Sequence, residues 1–273
     1  MKNRKKPHRG RRRKKTIGDY ISTVILLIAM CVLVFCGYRL YQIQSAYWEG
    51  DKDYNQLKEL ALQENDDTDG EDEYEGPRFT IDFEALGEVN GDIKAWLRFD
   101  EPSIINYPVV QGHDNNVYLH RTLSGYENTM GAIFINATNK PDFTDRHTLI
   151  YGHNMNNGSM FGELDKYSAK EFWEQYPYFY IYTPDGAETR YRIIASAVVN
   201  ERSDIYQYAF ASDEDFEQFL GLLQNIAQYE TGIAGLVNKD SQILTLSTCT
   251  AATGVNRFIV SGVKDEVRLP RGQ

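Results

Sequence analysis

A cysteine, a histidine and an arginine are the residues of this chain that could carry covalent chemistry together. Cys249 closes the run Gln242-Ile243-Leu244-Thr245-Leu246-Ser247-Thr248-Cys249, and Arg257 opens Arg257-Phe258-Ile259-Val260 eight residues later. Successive side chains of a strand alternate faces, so Leu244, Leu246 and Thr248 share one side while Ile243, Thr245, Ser247 and Cys249 share the other. Thr250 to Asn256 reads as a loop, which would bring the thiol and the guanidinium to neighbouring strand ends. His153 follows the apolar run Thr148-Leu149-Ile150-Tyr151 through Gly152, where a strand breaks into a loop, and His147 precedes the same strand. His113 and His120 fall in polar, turn-like sequence, where solvated imidazoles are expected. A free thiol is only a few per cent thiolate at neutral pH, so a nucleophilic cysteine wants a cation beside it. Acyl transfer also develops an oxyanion that needs fixed donors. Cysteine, histidine and arginine together cover nucleophile, proton shuttle and oxyanion clamp.

The competing reading of Cys249 is a structural cysteine in a core strand, since free cysteine is among the most buried residue types. The rest of the chain weighs against it. Ten basic residues and no acidic one stand between Lys2 and Lys15, and Ile21 to Tyr38 then runs eighteen residues without a charge. That pattern predicts a membrane-spanning helix over 17–38, behind a basic cytoplasmic tail over 1–16, by the excess of positive charge on the inner side. A cleaved leader is the rival, but no small-x-small site follows the run and its apolar core is long for one. Cys31 and Cys36 lie inside the span, so Cys249 is the one cysteine left outside, where a lone thiol is a liability unless chemistry needs it. Setting aside the ten basic residues of the tail and Asp19, 19 basic and 38 acidic residues remain, a net charge near −19. So acidic an exterior excludes a nucleic-acid binder.

The elements that must position the three residues are mostly strands. Tyr41, Tyr47, Tyr54, Leu57, Leu60 and Leu62 predict a helix over Arg39 to Leu62, as a stalk or laid on the main domain, and the carboxylate-rich Asn65 to Gly76 predicts a solvated linker. The folded domain is then expected over 78–273, after a stalk and linker over 39–77. The spacing of Phe83, Leu86, Val89, Ile93 and Trp96 predicts a short helix ending near Asn90-Gly91. β-rich runs follow at Ala95–Phe99, Ile104–Val110, Gly131–Asn136, Thr148–Tyr151, Phe179–Thr183, Thr189–Asn200, Gln242–Thr248 and Arg257–Val263. Eight strands separated by turns predict a closed or nearly closed β-barrel. Helices are expected over Ser168–Gln175 and over Asp213–Tyr229, the latter capped by Ser212 with Asp213-Glu214-Asp215 in its first turn. No metal-ligand spacing is present, and no cofactor is implied.

Thr245-Leu246-Ser247-Thr248-Cys249, an arginine eight residues on and an upstream Tyr151-Gly152-His153 resemble the signature of sortases, the cell-wall transpeptidases of Gram-positive bacteria. Asn90–Leu97, Ile105–Gln111, Asp114–Leu119 and Gly131–Phe134 resemble family segments in the family's order. The helix-bearing interval of 96 residues between His153 and Cys249 and the N-terminal helix resemble class B. The resemblance implies an eight-stranded sortase-like barrel with peripheral helices, an N-terminal helix and a long helix between the sixth and seventh strands. It implies Cys249 as nucleophile, His153 as general acid and base and Arg257 as oxyanion or substrate stabiliser. Asn115, Leu119, Ser247, Thr248, Ile205 and Tyr206 would line the substrate groove. Some relatives carry an acidic residue two after the cysteine, where Ala251 stands here. The implied reaction cleaves a C-terminal sorting motif of secreted proteins after threonine, holds the acyl group as a thioester and passes it to an amine of a lipid-linked peptidoglycan precursor. The membrane would be a further partner, through the single N-terminal span, with the catalytic domain extracellular. A membrane-tethered cysteine peptidase or peptidoglycan hydrolase would use much the same groups, and a non-catalytic surface binding module would use none of them.

Overall fold

Eight short β-rich segments, most of them buried along nearly their whole length, make a sheet that here closes on itself. The structure, a computed structural model, describes residues 17–64, 76–249 and 254–270, the side chains of Ile43, Ala46 and Cys249 apart. The basic tail over 1–16, nearly all of the acidic linker and most of the loop after Cys249, Ala251 included, lie outside the described residues.

The chain forms two compact units, Met1–Ser45 and Ala46–Gln273. Helix α1, Ile17–Ala61, begins in the first, where Leu26, Leu33 and Phe35 stand exposed along an uncharged stretch. That stretch is long and apolar enough to cross a membrane, a property a leader sequence near an N-terminus shares. In the second unit α1 presents Tyr54, Leu57 and Ala61 to the main core, where Tyr54 donates to the Gly131 carbonyl at 2.8 Å and meets Tyr107 edge-on. The compact unit therefore reaches back to Ala46 instead of starting at 78, because these side chains sit three and four residues apart on one helix face.

A two-stranded ribbon follows, β1 Leu62–Glu64 with β2 Phe79–Ile81. Asp82 caps α2, Phe83–Val89, which ends at Asn90 as expected, while Ile93 and Trp96 belong to strand β3, Ile93–Phe99. The chain continues through β4 Asn106–Val110, β5 Ile133–Ile135, β6 His147–His153, a 3-10 turn Leu164–Ser168, α3 Lys170–Gln175, β7 Tyr178–Tyr182 and β8 Glu188–Asn200. Another 3-10 turn, Asp204–Tyr206, leads to α4 Asp213–Ile226, then β9 Ile243–Cys249 and β10 Asn256–Arg268. Strands β3 to β10 form a closed eight-stranded barrel in the order β10-β8-β7-β3-β4-β5-β6-β9, parallel at β4–β5 and β6–β9 and antiparallel elsewhere. Helix α4 lies between the sixth and seventh barrel strands, with Ser212 accepting from the Asp215 N–H at its start.

Two cores result. Leu244, Leu246, Ile150 and Val260 fill the barrel with Trp96 and Phe179. Ile243, Ile259 and Ile205 pack outside it with Phe216, Phe219 and Leu223 of α4. The alternation along β9 thus separates an interior leucine face from an outer face, and the outer face leads to the site.

Candidate active site

Strand β6 carries His153 and β9 carries Cys249, and the parallel ladder pairs them in register at its last step, His153 opposite Cys249 and Tyr151 opposite Ser247. Neighbouring strands lie about 4.8 Å apart, so the two backbones are as close as the fold allows. β6 is held in place from both ends. Asn139 accepts from the Leu149 N–H and donates to the His147 carbonyl, and the His153 carbonyl accepts from the Phe161 N–H at 2.9 Å. Gly152 has to be glycine at this point, since a Cβ there would lie 2.7 Å from the Phe161 ring. His153 is the final residue of its strand, buried, with Nε2 2.6 Å from the Leu119 carbonyl. A carbonyl only accepts, so Nε2 carries a proton.

A cleft of ≈ 450 Å³ opens over these strands, lined by Asn115, Asn116, Leu119, His120, Phe134, Tyr151, His153, Glu201, Tyr206, Ser247 and Arg257. Arg257, near the start of β10, is half-buried. Its Nη1 donates to the Gly254 carbonyl at 2.7 Å and to the Asn256 carbonyl at 3.1 Å, and its Nη2 to Glu201 at 2.8 Å. Glu201 is itself set by the β8–β10 ladder, which pairs Val199 with Arg257 and continues through the Glu201 N–H to the Val255 carbonyl. The Tyr206 hydroxyl meets Ser247 Oγ at 2.9 Å across the cleft, and the Tyr206 ring stacks near Tyr151. Asn115 accepts from the Ala137 N–H and so ties its loop to the chain just after β5.

Of the residues expected at the groove, Asn115, Leu119, Ser247 and Tyr206 line this cleft, as do His153 and Arg257. Thr248 and Ile205 do not. Thr248 falls on the opposite face of β9, buried, with its hydroxyl exchanging hydrogen bonds with the Phe258 backbone. Ile205 is fully buried against the α4 core, because the 3-10 turn that presents Tyr206 to the cleft turns its neighbour inward. The thiol of Cys249 lies outside the described side chains.

Three further lining residues carry chemistry that sequence reasoning passed over. His120 is exposed as expected, yet its ring stacks on that of His153, centroids 6.0 Å apart and planes 26° apart. Tyr151 sits two residues before His153 and shares its face, a signal the period of two already held. Glu201 gave no local signal, since its pairing with Arg257 comes from strands far apart in sequence. His147, expected ahead of the strand, is its first residue and belongs to another network. It is fully buried, with Nδ1 donating to the Gln207 carbonyl at 2.7 Å and Nε2 accepting from Thr245 Oγ1 at 2.8 Å, which in turn accepts from Ser261. Burial pushes its pKa down to about 4. Among the described residues no group of three or more His, Cys, Asp or Glu could hold a metal ion.

The profile of the sortase domain matches residues 100–265 of the chain. The chain belongs to the sortase family. It is 34% identical over 166 residues to sortase B of Listeria monocytogenes, a match covering 60% of this chain and 65% of that protein, just under two thirds of its length. It is 27% identical over 238 residues to sortase B of Staphylococcus aureus, covering 84% of this chain and 90% of that one. Its fold superposes on the crystal structure of sortase B from B. anthracis in complex with AAEK1 with a TM-score of 0.69 at 27% identity, covering 82% of this chain and all of that one. These likenesses make it a class B sortase, with the closed mixed barrel of that class and its N-terminal helix. Sortases are cysteine transpeptidases, and the chain stands among enzymes of that kind.

Proposed function

We propose that this class B sortase joins secreted proteins to the cell wall by acyl transfer through Cys249. The observation that carries the reading is the strand register that sets Cys249 opposite His153, with Arg257 lining the same cleft. Cys249 attacks the carbonyl carbon of the threonine of a C-terminal sorting motif as a thiolate, partnered by the His153 imidazolium. Arg257 donates to the oxyanion of the tetrahedral intermediate, where a donor is worth most in a site that excludes water. His153 then gives its proton to the departing amine, and the acyl group remains on sulfur as a thioester. An amine of a peptidoglycan precursor takes the acyl group and frees the enzyme. Asn115, Leu119, Tyr206 and Ser247 form the walls along which the sorting peptide lies, a mixed apolar and hydrogen-bonding surface suited to a short extended peptide.

In this reading residues 1–16 are a cytoplasmic tail, residues 17–38 span the membrane once, and the catalytic unit works on the outer side, where precursor and secreted substrate meet. The apolar, exposed first part of α1 supports the tether. The test is ligation. A library of sorting-motif peptides is incubated with the full chain and triglycine, and a peptide–triglycine amide formed after threonine is the expected product. Cleavage with water alone accepted, whatever the amine, would replace the transpeptidase by a peptidase.

A further inference from the structure

Proton bookkeeping in the proposed reaction leaves one proton without a destination. While the acyl group is on sulfur His153 is neutral, having given its proton to the leaving amine. An acceptor amine arrives as ammonium at neutral pH, because α-amino groups titrate near 8 and lysine-type amines near 10. Two protons must leave its nitrogen before the product amide stands. His153 takes back one. Arg257 is always protonated and Glu201 is engaged by it, so neither serves as the second acceptor.

Among the described residues of the cleft His120 is the remaining base, and it stands in the right place. Its ring faces that of His153 at 6.0 Å, and it is open to solvent, where a proton can be shed. It also lines a second groove of ≈ 380 Å³, which shares His120 and Asn116 with the cleft and continues past Asp114, Arg121 and Glu127. Backbone N–H groups of Asn116 and Val117 hold the Asp114 carboxyl below the usual carboxylate range, so it stays ionised. Two carboxylates draw an ammonium, and Arg121 suits a carboxylate further along an amine-bearing peptide.

We propose that this groove receives the acceptor amine and that His120 takes its first proton, an inference that rests on the transpeptidase reading. The ammonium gives one proton to neutral His120, and the free amine forms a C–N bond to the thioester carbonyl. The C–S bond then breaks with its electron pair on sulfur, and the second N–H proton passes to His153. The thiolate–imidazolium pair is restored and His120 releases its proton to water.

The experiment uses the full chain with a sorting peptide and two acceptors, triglycine, which arrives protonated, and hydroxylamine, which is uncharged at neutral pH. In His120→Gln the ratio of transfer to triglycine over capture by hydroxylamine, both followed from the preformed thioester, should fall about 10²-fold below the wild-type ratio, the usual worth of a positioned base. His120→Asn should behave the same way. Wild-type transfer to triglycine in both variants, or equal loss with both acceptors, would overturn the assignment. A wild-type enzyme that forms no thioester would bring down the transpeptidase reading and this one with it, which separates the two failures.

Discussion

Acidification should destabilise this fold through one buried imidazole. His147 is neutral in the folded state, its two nitrogens committed to Gln207 and Thr245, and its pKa is down to about 4 from 6.5 because burial penalises the cation. The folded state thus resists protonation that the unfolded state accepts. The stability that the neutral network contributes is intact above pH 6.5 and drains away as the pH falls towards 4. The full loss is roughly 3 kcal/mol, of which about 2 kcal/mol is gone by pH 5, taking about 1.4 kcal/mol per unit. Other groups titrate in this range too, so the comparison is between the wild type and His147→Gln, unfolded in urea at pH 7.5 and pH 5. The variant should be the less stable at pH 7.5, and the gap should narrow by about 2 kcal/mol at pH 5, since glutamine cannot titrate. The imidazole signals of His147 in the folded protein should stay those of the neutral ring down to pH 5. An unchanged gap, or an imidazole titrating near 6.5, would refute the argument.

Three substitutions probe the cleft. Arg257→Lys keeps the charge and loses the planar fork, so kcat should fall by about 10²–10³ with the fold intact, and near-normal turnover would remove Arg257 from the chemistry. Glu201→Gln should leave thermal unfolding almost unmoved, because a rim ion pair is worth at most about 1 kcal/mol, and should lower kcat less than Arg257→Lys does; a large drop in unfolding temperature would make the pair structural instead. Tyr206→Phe deletes the hydroxyl that meets Ser247 and should raise KM for the sorting peptide about fivefold, the worth of roughly 1 kcal/mol, with kcat little changed.

The barrel was legible because its strands are short β-rich runs with turn residues between them, and the partition of β9 into a leucine face and an outer face follows from the alternation of side chains along a strand. The relation of Cys249 to His153 and Arg257 was legible as a pattern of types and spacing, though only the parallel β6–β9 pairing gives it a register. What escaped were contacts between segments remote in sequence. Nothing around His120 or Glu201 announces a ring stacked on His153 or a carboxylate on Arg257, since both arise when a loop and a strand end meet across the cleft. Thr248 and Ile205 were misplaced for local reasons: one residue along a strand, or along a 3-10 turn, reverses the side on which a side chain emerges. The end of α2 near Asn90-Gly91 was legible as well, although Ile93 and Trp96 continue its spacing and serve a strand instead.

The central claim is that Cys249 carries the acyl group. A sorting peptide incubated briefly with the full chain and then quenched in acid should leave a mass increment equal to the peptide through its threonine, mapped by digestion to Cys249 and removed by hydroxylamine. Cys249→Ala should show no adduct and no cleavage. Turnover by that variant, or an adduct mapped to any other residue, would contradict the account.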